Sequence, residues 1–392
     1  MVPNGVNMSD VKSKNKSGIL RLLNRNGSMS RKDIAAALKL TPAAVTIICS
    51  DLIDQGLIAE CGIDDSEQGR AGRKKILLTL CIDRFYAVSV NMETDFTYVS
   101  LVCLNGALLC TARIQTVRDA KTQLQAAADT INRMLAAHQD IREQVLGVGI
   151  GIVGAYSETR QETVGTFGLW KQGVRVADIL QSLTGLPVCC ENNVKCFAQA
   201  ELIYGKKTQN VFFVKWGSGV GSALVSDGAL SHAAQEIGHY IVDPYGEQCR
   251  CGRHGCLETY ASSYALKESV GKLFSPAQTP LLYRSLNGDI TALVEELRRH
   301  GADGLDDKVR EIFAERIHFL AMAAVNTATV IAPEKIIVYG NIWNDGFFRD
   351  FCDACERYSD SFGDGFIELS SLQDKRDYIG PAALVADRFF FG

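Results

Sequence analysis

"EIGHYIVDPYGEQCRCGRHGCLETYAS", residues 236–262, holds three cysteines within eight positions and a histidine ten residues ahead of the first. The spacing is His-x9-Cys-x-Cys-x4-Cys, and its members are His239, Cys249, Cys251 and Cys256. One imidazole and three thiolates suit a closed tetrahedral Zn2+ site of the structural kind. Gly246, Gly252 and Gly255 give the loop freedom to wrap an ion. A disulfide would leave one cysteine over and would need an oxidising compartment. Thirteen cysteines, an odd number, are scattered through 392 residues, and the N-terminal MVPNGVNMSDVKSKNKSG has no apolar signal core. Zinc is therefore expected here. The other cysteines, including Cys352 and Cys355 on an expected helix, read as packing residues.

Outward from this loop the chain is ordinary in bulk. A 47% hydrophobic, 22% charged composition excludes a disordered chain, and no run of eighteen apolar residues exists to cross a membrane. The expectation is a soluble cytoplasmic protein of two or three domains with no membrane partner. "FYAVSVN" (85–91), "TYVSLVCL" (97–104) and "ALLCTARI" (107–114) read as strands in succession. A helical stretch over 121–138 and the strand "VLGVGIGI" (145–152) follow. Glycine-rich turns recur in "GIGIVGAY" (149–156) and "KWGSGVGSALVSDG" (215–228). A long helix over about 306–331, the strand "KIIVYG" (335–340) and a closing helix "GPAALVADRFF" (380–390) complete the pattern. Strand triplets and helices arranged twice imply an α/β chain of two similar lobes.

The first eighty residues differ in kind. Residues 11–80 hold twelve Lys/Arg against seven Asp/Glu, a net of +5, while the rest holds 29 against 38, a net of −9. A basic head on an acidic body suggests that only the head meets a polyanion. In "SMSRKDIAAALKLTPAAVTIICSDLIDQGLIAE" (28–60), Ser30 and Asp33 form a capping-box-like start. Ile34, Ala35 and Leu38 then make an apolar helical face. Thr41 caps a second helix with Pro42 in its first position. Val45, Ile48, Cys49 and Leu52 form its buried stripe, and Gly56 ends it. Ile19, Leu22 and Leu23 supply a preceding helix. "LIAECGI" and "KKILLTLCI" then read as a hairpin joined by a polar loop. The sum is a winged helix-turn-helix over 17–80, preceded by a flexible tail over 1–16. The recognition helix has no Lys or Arg. Its early positions Thr41, Pro42, Ala43 and Thr46, with Ala44 and Ile47, suit thymine methyls. The cations are Arg31 and Lys32 beside it and Arg70, Arg73, Lys74 and Lys75 in the wing, where arginine reads a narrow minor groove.

The 236–262 stretch resembles the signature of the ROK family, which contains sugar-responsive repressors and sugar kinases. The resemblance runs from about residue 81 to the C-terminus, and the head at 17–80 matches the repressor branch. It implies an actin-like, ribonuclease-H-like pair of lobes with a sugar cleft between them. Lobe one would cover about 81–203 plus a C-terminal helix over about 378–392, and lobe two about 204–377. It further implies that Glu236, His239 and Glu258 face the sugar, and that Asn192 and Asn193 stand at the family's Asn-Asp pair. Thr166 stands where many members have Asn. Operator DNA, a monosaccharide or sugar-phosphate effector and a homodimer or tetramer are the implied partners, since two heads reading a palindrome need two-fold symmetry.

Repressor and kinase are separated by the phosphate machinery. A ROK kinase needs an Asp to take the proton of the attacking hydroxyl, and the amide of Asn193 cannot serve as a general base. The kinase's first phosphate loop reads Asp-x-Gly-Gly-Thr. Here it is Asn91-Met-Glu-Thr94, where side chains replace glycines and Glu93 puts negative charge in the phosphate's place. The later Gly-Gly turn has become "YGNIW". Only "WGSGVGSA" keeps its glycines. The expectation is a regulator without catalysis, the alternative being an active sugar kinase with an accessory DNA-binding head.

Overall fold

The computed structural model describes residues 8–64, 75–166, 169–170, 173–205, 209–231, 236–300, 305–363 and 365–392. Its head comprises α1 (Met8–Asn26), β1 (Met29–Ser30), α2 (Arg31–Leu38), α3 (Pro42–Asp54), β2 (Ile58–Asp64) and β3 (Lys75–Leu80). Local chemistry sets these bounds. Ser30 Oγ accepts from the Asp33 amide at 3.3 Å and donates to Asp33 Oδ2 at 2.7 Å. Thr41 Oγ1 accepts from the Ala44 amide at 3.2 Å. Lys39, at φ 54°, closes α2 in the left-handed region, and α2 and α3 meet at 117°. The order β1-β3-β2, antiparallel throughout, completes a winged helix-turn-helix.

One expectation is corrected. The flexible tail expected over 1–16 is helical from residue 8, where Lys12 and Lys16 reach Asp51 of α3 at 3.1 and 2.7 Å. A polar run without apolar periodicity looks like a tail, but here it continues a helix whose later turns bury Ile19, Leu20 and Leu23. The wing tip with Arg70, Arg73 and Lys74 lies outside the described residues.

The first lobe follows with β4 (Tyr86–Met92), β5 (Phe96–Cys103), β6 (Leu108–Gln115), α4 (Ala120–Ala137) and β7 (Val145–Ile152). The small hairpin β8 (Ala155–Ser157) and β9 (Glu162–Gly165), then α5 (Val176–Thr184), β10 (Val188–Asn192) and α6 (Asn193–Tyr204), complete it. Its sheet runs β10-β7-β4-β5-β6, with β4, β5 and β6 antiparallel and β7 and β10 parallel to β4. The second sheet uses β11 (Val211–Trp216), β12 (Val220–Ser226), β13 (Ala229–Leu230), β14 (Lys335–Tyr339) and β15 (Ile367–Leu369). It runs β13-β12-β11-β14-β15 with the same pattern of directions. One topology is thus used twice, giving the two-lobed actin-like α/β architecture. The crossover from β13 to β14 carries the cysteine loop and ends in the helix Asp307–Ile331.

Head and first lobe share one core. Ile19, Leu20 and Leu23 of α1 lie in the same buried apolar cluster as Val385, Phe390 and Phe391 at the C-terminus. Full burial is worth about 1.5–3 kcal/mol for each such side chain, so α1 is held firmly. The C-terminal helix Ile379–Val385 packs on β4, β7 and α6. Gly149 permits this, since a Cβ there would meet the Pro381 carbonyl oxygen at 2.0 Å.

Candidate functional site

In the cysteine loop the backbone folds back on itself. Gly255 sits at φ +66° with the Asp243 carbonyl where a Cβ would be, and its amide donates to Glu247 O at 2.9 Å. Cys249 N donates to Arg253 O at 2.7 Å. These turns bring the ligand atoms of His239, Cys249, Cys251 and Cys256 within 4.8 Å of one another. Cys249 Sγ lies 3.6 Å from His239 Nδ1, and Cys251 Sγ lies 3.7 Å from Cys256 Sγ. Bonds of about 2.0–2.3 Å to one tetrahedral ion imply ligand separations of roughly 3.3–3.8 Å. Three of the four side chains are buried. The donor set could hold a metal ion, and the 3.6 and 3.7 Å separations match a tetrahedral site.

A cleft of about 930 Å3 lies between the lobes. Glu93, Gly154, Thr166, Asn192 and Asn193 line it from the first lobe, and Lys215, Ser218, Glu236, Glu258 and Asn341 from the second. The sequence expectation thus divides in two. Asn192, Asn193, Glu236 and Glu258 come together in the cleft. His239 joins the sulfur cluster and is not among the cleft-lining residues.

The cleft side chains differ in availability. Asn192 caps α6, its Oδ1 accepting from the amides of Val194 and Lys195 at 2.8 and 3.1 Å while Nδ2 donates to Gly154 O at 2.7 Å. Its role is to fix the start of α6, and so Asn193. Asn193 Nδ2 donates to Met92 O and Glu93 Oε1, both at 3.2 Å. Glu258 Oε2 accepts from the Val220 amide at 3.1 Å, which ties the cysteine loop to the β11–β12 turn. Desolvation in the cleft and then the charge of Glu258 raise the Glu236 carboxyl above its usual range, against the pull of Lys195 and Arg253. Thr166 Oγ1 is held by Trp170, donating to its carbonyl at 2.6 Å.

Lys215 was not anticipated. Its Nζ donates to both oxygens of Glu93, at 2.6 and 2.7 Å, and Ser218 Oγ donates to Glu93 Oε2 at 3.2 Å. The pair joins the lobes. A lysine inside "VFFVKW", a strand buried at every position, was the available signal, because a buried ammonium requires a partner.

On the head, Lys32, Thr41, Pro42, Ala43 and Thr46 are exposed, and Ile47 is 65% exposed. Arg31 is engaged within the head, its Nη2 donating to Glu60 Oε1 of β2 at 3.1 Å. Head and cleft are joined by α6, about 18 Å long at 1.5 Å per residue. Asn193 begins it in the cleft. At its far end Ile203 O accepts from Asn24 Nδ2 of α1 at 3.1 Å. Between them Gln199 Nε2 donates to Asp387 Oδ1 at 3.0 Å, and Arg21 of α1 donates to that same oxygen at 2.8 Å.

Comparison with known proteins agrees with both parts. The winged helix-turn-helix DNA-binding family matches residues 12–59. The DNA-binding transcriptional repressor Mlc of Escherichia coli (strain K12) is 26% identical over 285 residues, 70% of each chain. The xylose repressor of Caldicellulosiruptor bescii is 24% identical over 390 residues, 96% of each chain. A solved ROK family transcriptional regulator, a homolog of the E. coli MLC protein, superposes with a TM-score of 0.78 at 22% identity. It covers 97% of both chains and shows a shared fold. The ROK family itself matches residues 88–388, most of the chain, and the protein belongs to the ROK family.

Proposed function

We propose that the protein is a cytoplasmic, sugar-responsive transcriptional regulator, a repressor of carbohydrate-utilisation genes released when a monosaccharide or its phosphate enters the cleft. The observation that carries this reading is α6, which begins at the cleft with Asn193 and ends against the DNA-binding head at Asn24. A ligand regulates only through different affinity for two arrangements. Closing the lobes around a sugar moves α6, and α6 bears directly on α1. Asn193, Glu236 and Glu258 offer the oriented donors and acceptors that a ring of hydroxyls requires, with Asn192 positioning Asn193.

In this reading the cleft binds and does not catalyse. Asn193 offers an amide in place of a general base, and the Glu93 carboxylate stands beside it. His239, Cys249, Cys251 and Cys256 hold a structural zinc ion, which supplies folding energy to the loop bearing Glu258. Two heads of a dimer or tetramer meet two half-sites. The exposed start of α3 faces bases, while Lys32 and the wing residues Arg70, Arg73 and Lys74 meet phosphate.

Binding of labelled fragments from upstream of neighbouring genes, followed by anisotropy across a monosaccharide panel, tests this. Specific DNA binding that one sugar weakens is expected. Sugar phosphorylation with ATP at ordinary kinase rates, or DNA binding unmoved by every sugar and sugar phosphate, would overturn it.

A further inference from the structure

We infer that Glu93 sets the class of effector: the cleft takes an uncharged sugar and rejects the same sugar carrying a phosphate at the hydroxyl nearest Asn193. This rests on the effector-cleft reading above. The Glu93 carboxylate lies 3.2 Å from Asn193 Nδ2, so a group presented to Asn193 is presented to Glu93 as well. The carboxylate cannot swing away. Lys215 holds both of its oxygens from the opposite lobe, and Ser218 holds one of them. Asn193 is itself buried and fixed by Met92 O.

Lys215 is the cation a phosphate at this point would need. Its side chain is only 10% exposed, and its charge is already answered by Glu93. A phosphate beside Asn193 would therefore meet a carboxylate whose own ammonium partner is already engaged. The other cations lining the cleft, Arg118, Arg250 and Lys267, make no hydrogen bond or ion pair with Glu93 or Asn193. Like charges a few ångströms apart in a partly desolvated cleft repel far more strongly than in water. A sugar hydroxyl meets the opposite situation, since it can donate to the Glu93 carboxylate. The polar atoms that would repel the ester thus welcome the parent sugar. Glu236 and Glu258 hold the rest of the ring in either case and do not discriminate at this position.

The test is a comparison of glucose, xylose and N-acetylglucosamine with glucose 6-phosphate, N-acetylglucosamine 6-phosphate and inorganic phosphate. Binding to the full chain is followed by calorimetry and thermal shift. In the unaltered protein one free sugar is expected to bind, and its ester at least about tenfold more weakly. Glu93→Gln should release the Lys215 ammonium and raise affinity for the ester or for inorganic phosphate by tenfold or more. Adding Lys215→Met to it should remove that gain, and the unaltered protein alone still decides the matter if the variants fold poorly. An ester bound as tightly as its parent sugar, or discrimination unchanged by Glu93→Gln, would overturn the inference while leaving the effector cleft standing. No binding of any sugar or ester would overturn the cleft reading and this inference together.

Discussion

The turn after β4 and the turn after β11 occupy the same place in the two repeats of one sheet topology, and they have been given opposite chemistry. Asn91 to Asp95 in the first lobe carries side chains throughout, with the Glu93 amide donating to Phe96 O at 3.0 Å. Trp216 to Val220 in the second keeps Gly217 and Gly219. A Cβ on Gly217 would come within 2.8 Å of Asn341 Oδ1, and one on Gly219 within 3.1 Å of Glu258 Oε2. The second turn stays bare so that polar side chains can crowd against its backbone. The first is filled, and its carboxylate reaches across to Lys215 and Ser218 of the other repeat. A repeated backbone therefore supplies two equivalent places but not two equivalent functions. The side chain in each place decides whether it receives an anion or supplies one.

The largest test of this asymmetry lies in the loop found only in the second lobe. Cys251→Ser should abolish stoichiometric zinc in protein purified without chelator and lower the melting temperature by many degrees. Structural zinc in small peptides contributes about 10–16 kcal/mol, and a hydroxyl is a poor replacement for thiolate. Hydrogen exchange should show the β11–β12 turn loosening before the β4–β5 turn, because Glu258 ties the loop to the former. Equal loosening of both would break the comparison.

Next comes the bridge between the turns. Lys215→Met leaves Glu93 without its cation and should destabilise the protein by roughly 2–4 kcal/mol, somewhat below the loss typical of a fully buried pair because Glu93 keeps some exposure. Denaturant titration of both single variants and the Glu93→Gln, Lys215→Met double variant gives the coupling. Additive losses would show that the two turns are energetically independent.

Glu258→Ala should then separate binding of sugar from binding of DNA. The head is untouched, so operator affinity should stay within about twofold, while release by sugar should be lost, a change of at least about 1.4 kcal/mol in effector binding. Normal release in this variant would remove Glu258 from the effector site. The smallest effect is expected at the head's anchor. Arg21→Ala loses an exposed ion pair with Asp387, worth about 0–1 kcal/mol. Its mark should be a weaker response of DNA binding to sugar, not a lower melting temperature, and an unchanged response would argue against α6 and Asp387 as the link.

Short-range chemistry made much of this protein legible as a sequence. Ser30, Thr41 and Pro42 mark helix starts because capping acts within three residues. The strand triplets show their period within eight residues. His239 and the three cysteines announce one ion because a loop of eighteen residues carries all four. The tertiary structure alone decided the rest. It extended the first helix back to residue 8, where Lys12 and Lys16 meet Asp51. It left His239 out of the cleft lining and set Asn192 to capping α6. It also joined Glu93 to Lys215 across 122 positions and Arg21 to Asp387 across 366. A cap or a helical stripe is chosen by neighbours along the chain, so its signal is local. An ion pair between lobes depends on which distant strands the fold makes adjacent. Lysine in an apolar strand states only that a partner is needed, and the packed lobes determine that the partner is Glu93.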